Sequence, residues 1–315
     1  MQNKSQQAAG TVVILGTGGT IAGSGDDVGY TAGQMSVQAL VDAVPALAGR
    51  ALEAEQVAQV DSKDMSHAIW QRLAQRLAHH LAREEVAGVV VTHGTDTLEE
   101  TAWFLHRVLA PAKPVVLTAA MRPATSLQAD GPQNLLDAVT LASWPGAQGV
   151  VAMLQGRVHG PAEVRKRQPF ALDAFESGED GPLAVVQEGQ VRALRSWPSG
   201  QALGVERIAA DAGTWPRVDI VVSHAGADGV VVEALVAAGA RGLVVEGTGN
   251  GTVHTSLLTA LARVQAAGMP VLRASRCSGG AIVGSPEGAL PSAGALTPAK
   301  ARVELLLQLL GPTSS

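Results

Sequence analysis

The order of apolar and polar positions along the chain predicts strands and helices that alternate almost throughout. Short runs rich in β-branched residues predict strands at 11–16, 55–60, 86–92, 114–119, 149–154, 217–223, 241–246 and 269–274. Longer stretches with apolar residues at helical spacing predict helices at about 36–44, 66–84, 97–109, 132–143, 229–239, 254–267 and 298–310. Because strands joined by helices usually run parallel, this alternation predicts parallel sheets with right-handed crossovers.

Local signals at three places predict where helices begin and end. Thr97 is followed three residues later by Glu100, the spacing of a capping box, so a helix is predicted to begin directly after the GTDT turn. Pro132 favours the first turn of the next helix, where the N–H that proline lacks would be unused. Gly268 and Pro270 predict the end of a later helix before a strand.

The alternation of strands and helices is interrupted over residues 188–216, a segment with four glycines and two prolines. At 315 residues the chain also exceeds the ~250–300 residues at which one hydrophobic core stops growing. We therefore predict two α/β domains. They are a larger N-terminal parallel-sheet domain at 1–193 and a smaller, flavodoxin-like C-terminal domain at 216–315, joined by a linker at 194–215.

The composition of the chain argues against several classes of binding partner and bears on its cellular location. The formal net charge is −5 and no basic run occurs, which argues against a nucleic-acid or membrane-surface partner and leaves small polar ligands. The single cysteine, Cys277, cannot form an intramolecular disulfide and is expected to be a small buried residue. No segment has the ~18 uncharged apolar residues of a membrane span. Because the first residues as given lack the apolar stretch of a secretory signal, we expect a cytoplasmic protein, or a periplasmic one if a signal peptide was removed.

Two apolar runs end in glycine-rich turns that carry threonines. They are TVVILGTGGTIAG at 11–23, which contains Thr20, and GVVVTHGTDTLEETA at 88–102, which contains Thr95. Such runs are typical of buried parallel strands, and ligands of open α/β sheets bind at the carboxyl ends of those strands. The two turns, with their hydroxyls and backbone N–H groups, are therefore the predicted site.

Several other kinds of site are disfavoured by the sequence. The nucleophile-elbow pattern GxSxG does not occur, and no lysine follows the glycines as a phosphate-binding P-loop requires. The dinucleotide pattern GxGxxG is nearly matched from Gly16, but Ile21 takes the third glycine position. His79 and His80 are adjacent on a predicted helix, where neighbouring side chains diverge by ~100°. Because the other histidines are scattered, no zinc or other metal site is expected.

The residues that remain form a hydroxyl-rich set with one carboxylate and one ammonium. Thr20 and Thr95 supply hydroxyls, Asp96 follows Thr95, and Lys166 lies in the basic stretch EVRKRQ. A threonine hydroxyl needs a neighbour that takes its proton before it acts as a nucleophile. Tyr30, the only tyrosine, lies in SGDDVGYTAGQ, a loop of the kind that forms lids. With backbone N–H groups of the two turns as an oxyanion hole, this set suits attack on a neutral carbonyl, especially an amide.

These motifs resemble those of the bacterial L-asparaginases, and within that family the type II-like or glutaminase-asparaginase branch. The two family signatures have counterparts in TGGTIAG at 17–23 and THGTDT at 92–97. Further matching stretches are GYTAGQ (29–34), VDSKDM (60–65), AAMRPATSLQADGPQNL (119–135), EVRKRQ (163–168), GTGNG (247–251) and TPAKARV (297–303). The resemblance therefore extends over almost the whole chain in one order.

The resemblance implies an L-asparagine amidohydrolase that releases ammonia and then L-aspartate, with a side activity on L-glutamine. Thr20 would be the nucleophile that attacks the side-chain amide and forms an acyl-enzyme. Tyr30 would assist through a hydrogen bond to the Thr20 hydroxyl. Thr95, Asp96 and Lys166 would handle protons and the hydrolytic water. A glutaminase-asparaginase of broad specificity is the alternative within the family.

The resemblance also implies how substrate is bound and how subunits assemble. Ser62 would hold the α-carboxylate of the substrate, and Asp96 would hold its α-ammonium. No metal and no organic cofactor is implied. The family is usually a homotetramer of two intimate dimers, in which the neighbouring subunit's second domain completes each site.

Three positions depart from the family pattern. Lys63 stands where relatives usually have Gln or Glu; because an ammonium facing the substrate amine would repel it, we expect this side chain to point outward and to contribute only backbone contacts. Thr252 stands where relatives contribute an Asn or Ser from the partner subunit, and its shorter side chain predicts room for glutamine. The segment from Arg276 to residue 294 is shorter than in relatives, so Glu287 is a weak candidate for the partner-subunit carboxylate that meets the substrate amine.

Each assignment also has a purely structural alternative. Thr20 could satisfy only the backbone of its own turn, and Asp96 could be favoured by the dipole of the following helix. Ser62 could cap the helix after it, although Ser66 is the better cap. Tyr30 and Lys166 could be exposed surface residues. His93, at the end of a buried strand, is expected to be a satisfied structural histidine rather than a base.

Two functions from other classes remain open at this point. One is an amino-acid sensor that keeps the binding pocket without catalysis. The other is a nucleotide-binding oxidoreductase, which the glycine-rich first turn suggests. That reading lacks the third glycine, and Asp61 lies about 40 residues beyond the turn rather than the ~20 of a ribose-binding acid.

Overall fold

A computed structural model describes residues 10–23, 25, 31, 33–284 and 289–311. The chain divides into two compact units, Met1–Val205 and Glu206–Ser315. The division lies inside the segment predicted as a linker. The first part of that segment is hydrogen-bonded to the first unit, since the N–H groups of Leu203 and Gly204 donate to the carbonyls of Arg107 and Val108.

The described residues of the first unit form an eight-stranded sheet, a two-stranded sheet and four α-helices. Its strands are β1 (Thr11–Gly18), β2 (Leu52–Val60), β3 (Val86–Thr92), β4 (Pro114–Thr118), β5 (Gly149–Leu154), β6 (Arg157–His159), β7 (Arg165–Lys166), β8 (Phe175–Glu176), β9 (Ala184–Gln187) and β10 (Gln190–Ala193). Its helices are α1 (Val37–Asp42), α2 (His67–Leu81), α3 (Leu98–Leu109) and α4 (Gly131–Ala142). The large sheet has the order β10-β9-β6-β5-β4-β3-β1-β2, and β7 pairs with β8.

Strands β1 to β5 are parallel, as predicted, but the other edge of the sheet is not. Strand β6 pairs antiparallel with β5 and with β9, and β10 pairs antiparallel with β9. Two-residue turns make this edge possible, because Gln155, Gly156, Glu188 and Gly189 all have positive φ, between 49° and 71°. The predicted parallel sheet is therefore confirmed for β1 to β5, while this antiparallel edge was missed because strands of three or four residues are too short to show an apolar pattern.

Helices cover the central parallel strands, whose side chains are buried. Val90, Val116 and Val151 are completely inaccessible and share one core with Leu135 and Val139 of α4. Burial on both faces explains why these strands are continuous apolar runs rather than alternating ones.

The second unit is a smaller parallel α/β fold. Its elements are β11 (Val218–Val222), α5 (Val230–Ala237), β12 (Gly242–Gly247), α6 (Thr255–Ala266), β13 (Val271–Ser275) and α7 (Pro298–Leu309). The three strands are parallel in the order β11-β12-β13. The prediction of a larger N-terminal and a smaller C-terminal α/β unit is therefore confirmed.

The predicted helix boundaries were mostly right, with one wrong cap. Pro132 lies at the start of α4, and Gly268, with a φ of 94°, follows the end of α6. Helix α3 begins after Thr97, but that side chain makes no capping hydrogen bond; its hydroxyl donates instead to the carbonyl of Ser62 at 2.8 Å. The capping box was therefore wrong because a tertiary acceptor lies within reach of the hydroxyl.

Two further features of the described residues bear on the sequence analysis. Cys277 is exposed, contrary to the expectation that it is buried, because it follows β13 in an irregular segment outside the core. Among the described residues, none of the helices combines the length and the apolar character that crossing a membrane requires.

Candidate active site

The two threonine turns lie side by side at one edge of the large sheet. Strand β1 pairs in parallel with β3, with Gly16 opposite Thr92, so the carboxyl ends of both strands meet at the same edge. The Thr17 hydroxyl donates to the carbonyl of Thr92 at 2.8 Å and ties the two strand ends together. Thr20 and Thr95 follow directly in the adjacent turns, and both side chains are buried.

Glycines allow the two turns to come into direct contact. Gly19 has a φ of 82°, and a Cβ on it would lie 2.4 Å from the Cα of Gly94. A Cβ on Gly94 would lie 2.5 Å from the Ser62 hydroxyl oxygen. Because real Cβ atoms do not come this close, only glycine lets the two turns and Ser62 pack together.

Lys166 joins the hydroxyl and the carboxylate of the second turn. Its ammonium donates to the Thr95 hydroxyl oxygen at 2.8 Å and to the Asp96 carboxylate at 2.6 Å. The side chain of Lys166 is 18% exposed and that of Asp96 is 53% exposed. The charged pair therefore lies at the mouth of the site, with the buried Thr95 hydroxyl behind it.

A short hairpin that sequence reasoning missed holds Lys166 in place. Lys166 belongs to β7 and pairs with Phe175 of β8. Its backbone N–H also donates to the Glu99 carboxylate at 3.0 Å, and Glu99 lies in the first turn of α3. Lys166 is thereby brought beside residues some seventy positions earlier in the chain.

Ser62 lies beneath the second turn and is only 1% exposed. Its hydroxyl oxygen accepts a hydrogen bond from the Asp96 N–H at 3.1 Å. The cap of α2 is Ser66, whose hydroxyl accepts from the Ile69 N–H, as the sequence analysis favoured. The Ser62 hydroxyl hydrogen has no protein acceptor among the described residues, so it can donate to a ligand.

Lys63 is turned toward acidic neighbours at the surface. Its ammonium lies 2.7 Å from the Asp61 carboxylate and 3.3 Å from that of Asp64, and its side chain is 62% exposed. The hydrogen bond with Asp61, and then that with Asp64, raises the pKa of Lys63 above its ordinary value. This outward position agrees with the expectation from the sequence, while a role in substrate binding stays a prediction.

His93 forms part of a buried hydrogen-bond chain behind the second turn. Its Nδ1 lies 2.7 Å from the Gly94 carbonyl, and its Nε2 lies 3.0 Å from the Thr101 hydroxyl, which the Trp70 indole N–H approaches at 2.8 Å. A carbonyl only accepts, so Nδ1 carries the hydrogen and Nε2 accepts from Thr101. Burial lowers the pKa of His93 to about 4, which keeps the ring neutral. These contacts favour the structural role expected for this histidine.

Backbone N–H groups of the turns differ in whether they are free to bind a ligand. The Gly19 N–H donates to the Val60 carbonyl at 2.8 Å, and the Asp96 N–H is held by Ser62. Among the described residues no acceptor pairs with the Thr95 N–H. Of these three groups, Thr95 N–H is therefore the candidate donor to an oxyanion.

Three residues proposed from the sequence lie either outside the first unit or outside the described residues. Thr252 lies in the second unit, where its hydroxyl is 2.7 Å from that of Thr248. Tyr30 and Glu287 lie outside the described residues. The described residues contain no group of three His, Cys, Asp or Glu side chains close enough together to hold a metal ion.

Two models of protein-family domains match the chain over most of its length. Residues 11–199 match the model described as "Asparaginase, N-terminal", and residues 217–314 match the "Glutaminase/Asparaginase C-terminal domain". The chain belongs to the asparaginase family. The resemblance inferred from the two threonine motifs is thereby confirmed.

Individual asparaginases resemble the chain over most of its length. "L-asparaginase 2" of Escherichia coli (strain K12) is 37% identical, covering 95% of this chain and 88% of the relative. "Glutaminase-asparaginase" of Pseudomonas fluorescens biotype A is 34% identical, covering 86% and 77%. The crystal structure titled "Probable Cytoplasmic L-asparaginase from Campylobacter jejuni" has a TM-score of 0.88 and 36% identity, covering 97% of this chain and 96% of that one.

Proposed function

We propose that the protein hydrolyses L-asparagine to L-aspartate and ammonia through an acyl-enzyme on Thr20. The observation that carries the proposal is the contact of Lys166 with both the Thr95 hydroxyl and the Asp96 carboxylate, directly beside the turn that bears Thr20. A hydroxyl nucleophile needs a neighbouring group that can exchange protons, and this trio supplies one. Membership of the asparaginase family supports asparagine as the substrate.

In the first half of the reaction, the Thr20 oxygen attacks the side-chain carbonyl carbon of asparagine. Negative charge then develops on the carbonyl oxygen, and the unpaired Thr95 N–H is suited to stabilise it. The proton that the Thr20 hydroxyl loses passes to the amide nitrogen, so collapse of this intermediate releases ammonia and leaves the aspartyl group as an ester on Thr20.

In the second half, water attacks the ester, and the trio of the second turn handles its proton. An amine 2.8 Å from a hydroxyl oxygen can exchange a proton with it, so Thr95 and Lys166 can relay the proton taken from water. The Asp96 carboxylate, 2.6 Å away, compensates the positive charge that Lys166 carries when protonated. Thr20 is released with its proton restored, and L-aspartate leaves.

Substrate binding is assigned to groups that flank this machinery. The Ser62 hydroxyl, whose hydrogen is available, donates to the α-carboxylate of asparagine. The half-exposed Asp96 carboxylate receives the α-ammonium. We expect Lys63 to remain paired with Asp61 and Asp64 and to leave the substrate amine undisturbed.

We expect a slower reaction with L-glutamine as well. The Thr252 side chain, contributed by a partner subunit and shorter than the asparagine of some relatives, would leave room for one extra methylene. The glutaminase-asparaginase of Pseudomonas fluorescens biotype A, 34% identical, supports such a side activity. A glutamine rate equal to the background would refute it.

We further propose that the active form is a homotetramer built from intimate dimers. In that assembly Tyr30 assists Thr20, and Glu287 of a partner approaches the substrate amine. Sedimentation equilibrium tests whether the protein is a tetramer.

We also propose that the protein is cytoplasmic. Fractionation of cells that express it tests this location.

The deciding experiment is a side-by-side measurement of ammonia release from L-asparagine and L-glutamine over a range of concentrations, with Thr20→Ala as the blank. Turnover of asparagine that disappears in the blank supports the proposal. Binding of asparagine without ammonia release would favour a sensor instead. Binding of NAD in a fluorescence titration would favour the oxidoreductase alternative.

A further inference from the structure

The second unit has a surface pocket of about 680 Å³ beside helix α6 and strand β13. Leu258 and Ala262 of α6 line it together with Leu290 and, among its described lining residues, a single charged one, Arg273. A pocket of this size lies within the range of small-molecule sites, about 300–1,000 Å³, which are mostly apolar with a few polar groups.

The position of Arg273 in β13 determines which face of the sheet its side chain occupies. Side chains of a strand alternate between faces, so Arg273 shares the face of Val271, which belongs to the core packed against Leu257 and Leu261 of α6. A Cβ on Gly251 would lie 3.3 Å from Arg273 Cγ, which shows that the aliphatic stem packs against the 247–251 turn. The whole residue is only 9% exposed.

The guanidinium of Arg273 has few partners for so buried a cation. Its Nη2 donates to the Gly284 carbonyl at 3.4 Å, a long hydrogen bond. Its Nε–H has no acceptor, and the guanidinium takes part in none of the ion pairs between described side chains. Arginine carries five N–H donors, and buried cations are normally paired with an anion. Most of these donors therefore have no acceptor among the described residues, and an anionic ligand would supply one.

We propose that this pocket binds a small carboxylate with an unbranched aliphatic body, whose carboxylate pairs with Arg273 while its carbon chain lies against Leu258 and Leu290. A guanidinium matches the two oxygens of a carboxylate, which favours this anion. The apolar wall favours a hydrocarbon body over an inorganic anion, which would leave that wall exposed to water.

The pocket lies wholly in the second unit, and of the residues assigned above to hydrolysis and substrate binding it is lined by Thr252 alone among the described residues. Thr252 borders the pocket, yet its hydroxyl is hydrogen-bonded within the 248–252 turn, so the carboxylate does not require it. Loss of one activity would therefore leave the other testable.

The test uses the full chain with labelled leucine and valine methyl groups, titrated with hexanoate in an NMR experiment. We expect saturable shifts of the Leu258 and Leu290 methyl signals. Hexan-1-ol, which keeps the carbon chain without the charge, should bind at least ~10-fold more weakly. Equal affinities for the two probes, or shifts confined to other methyl groups, would overturn the proposal.

Variants separate the guanidinium from the pocket itself. Arg273→Gln should weaken hexanoate at least ~10-fold. Arg263→Gln is the matched control, because Arg263 is an exposed cation of α6 that pairs with Glu233 and does not line the pocket; it should leave binding unchanged. Ala262→Phe, at an exposed position of α6, should fill the pocket and abolish binding.

Two results with these variants would contradict the proposal. Hexanoate that binds equally well to Arg273→Gln would show that the guanidinium is not its partner. If Arg273→Gln fails to fold, the Ala262→Phe variant decides, because full binding in it would place hexanoate elsewhere on the protein.

Discussion

The two threonine turns end neighbouring strands of one sheet, yet they differ in the charges around them. The turn at the carboxyl end of β1, GTGGT at 16–20, contains only glycines and threonines. The turn after β3, THGTDT at 92–97, contains Asp96 and receives the ammonium of Lys166. Both turns are fixed by close backbone contact at Gly19 and Gly94.

This difference suggests a division of labour between the turns. A neutral turn, in which Thr17 and Thr20 are both buried, suits a residue that becomes covalently attached to substrate, because no charge competes with the acyl group. A turn with a hydroxyl, an amine and a carboxylate in contact suits the movement of protons. Fold alone would not distinguish the roles, since both threonines occupy equivalent ends of parallel strands.

The largest expected effect on catalysis comes from removing the Thr20 hydroxyl. Thr20→Ala should lower kcat for asparagine by at least ~10³-fold, because loss of a covalent nucleophile removes the main route. Thr20→Ser keeps a hydroxyl and should retain measurable turnover. A fall of less than ~10-fold in Thr20→Ala, measured by ammonia release on folded protein, would contradict the assignment.

Removing the amine of the second turn should have the next largest effect. Lys166→Met should lower kcat by roughly 10²–10⁴-fold, the usual contribution of a positioned proton-transfer group. Arg167→Gln serves as the matched control, because that neighbouring cation is exposed and faces Asp173 and Glu176. Equal losses in the two variants would mean that general surface charge, rather than the contact with Thr95, matters.

Binding and catalysis should separate at Ser62. Ser62→Ala removes the proposed donor to the substrate carboxylate and should raise KM by about 10-fold, a typical cost for a lost charged hydrogen bond. Ser66→Ala, four residues on, should leave KM unchanged while costing about 1 kcal/mol of stability, because Ser66 caps α2. An unaltered KM in Ser62→Ala would remove Ser62 from the binding site.

The stability of the folded protein should also depend on pH, through His93 in the second turn. Its pKa is lowered to about 4 in the folded protein, against an ordinary value near ~6.5. Between these values the unfolded chain takes up a proton that the folded chain does not, so stability is full above pH ~6.5 and falls as the pH drops toward ~4, by about 3 kcal/mol in total.

Urea unfolding at several pH values measures this loss. His93→Gln, which cannot titrate, should show a shallower fall of unfolding free energy over that interval. Identical pH slopes for the variant and the unmodified protein would show that His93 is not buried as a neutral ring.

The smallest effect is expected at Lys63. Because its ammonium pairs with Asp61 and Asp64, Lys63→Gln should change KM for asparagine by no more than about 2-fold, as for exposed ion pairs in general. A several-fold lower KM would show that this ammonium repels the substrate amine after all.

Much of the fold could be predicted from the chain because long apolar runs and helical periodicity identify the parallel core. The antiparallel edge could not, since each of its turns pairs glycine with Gln155 or Glu188 rather than with the Asn or Asp that signals such a turn. The exposure of Cys277 was missed for a related reason, because an irregular segment has no periodicity.

The candidate site, like the fold, could be predicted from the sequence only in part. Both threonine turns are visible in the sequence because each ends a buried strand. The position of Lys166 depends on the two-residue strands β7 and β8, which no sequence pattern marks. The contact between Ser62 and Asp96 depends on the close approach at Gly94, a distance that only the folded chain reveals.

The measurement that tests the division of labour most directly is identification of the residue that carries the acyl group. The protein and its Lys166→Met variant would be mixed with L-asparagine, quenched in acid within milliseconds to seconds, digested and analysed by mass spectrometry. We expect an aspartyl ester on Thr20, accumulating further in Lys166→Met if the second turn activates water. An ester on Thr95, or ammonia release from Thr20→Ala at the normal rate, would contradict the account.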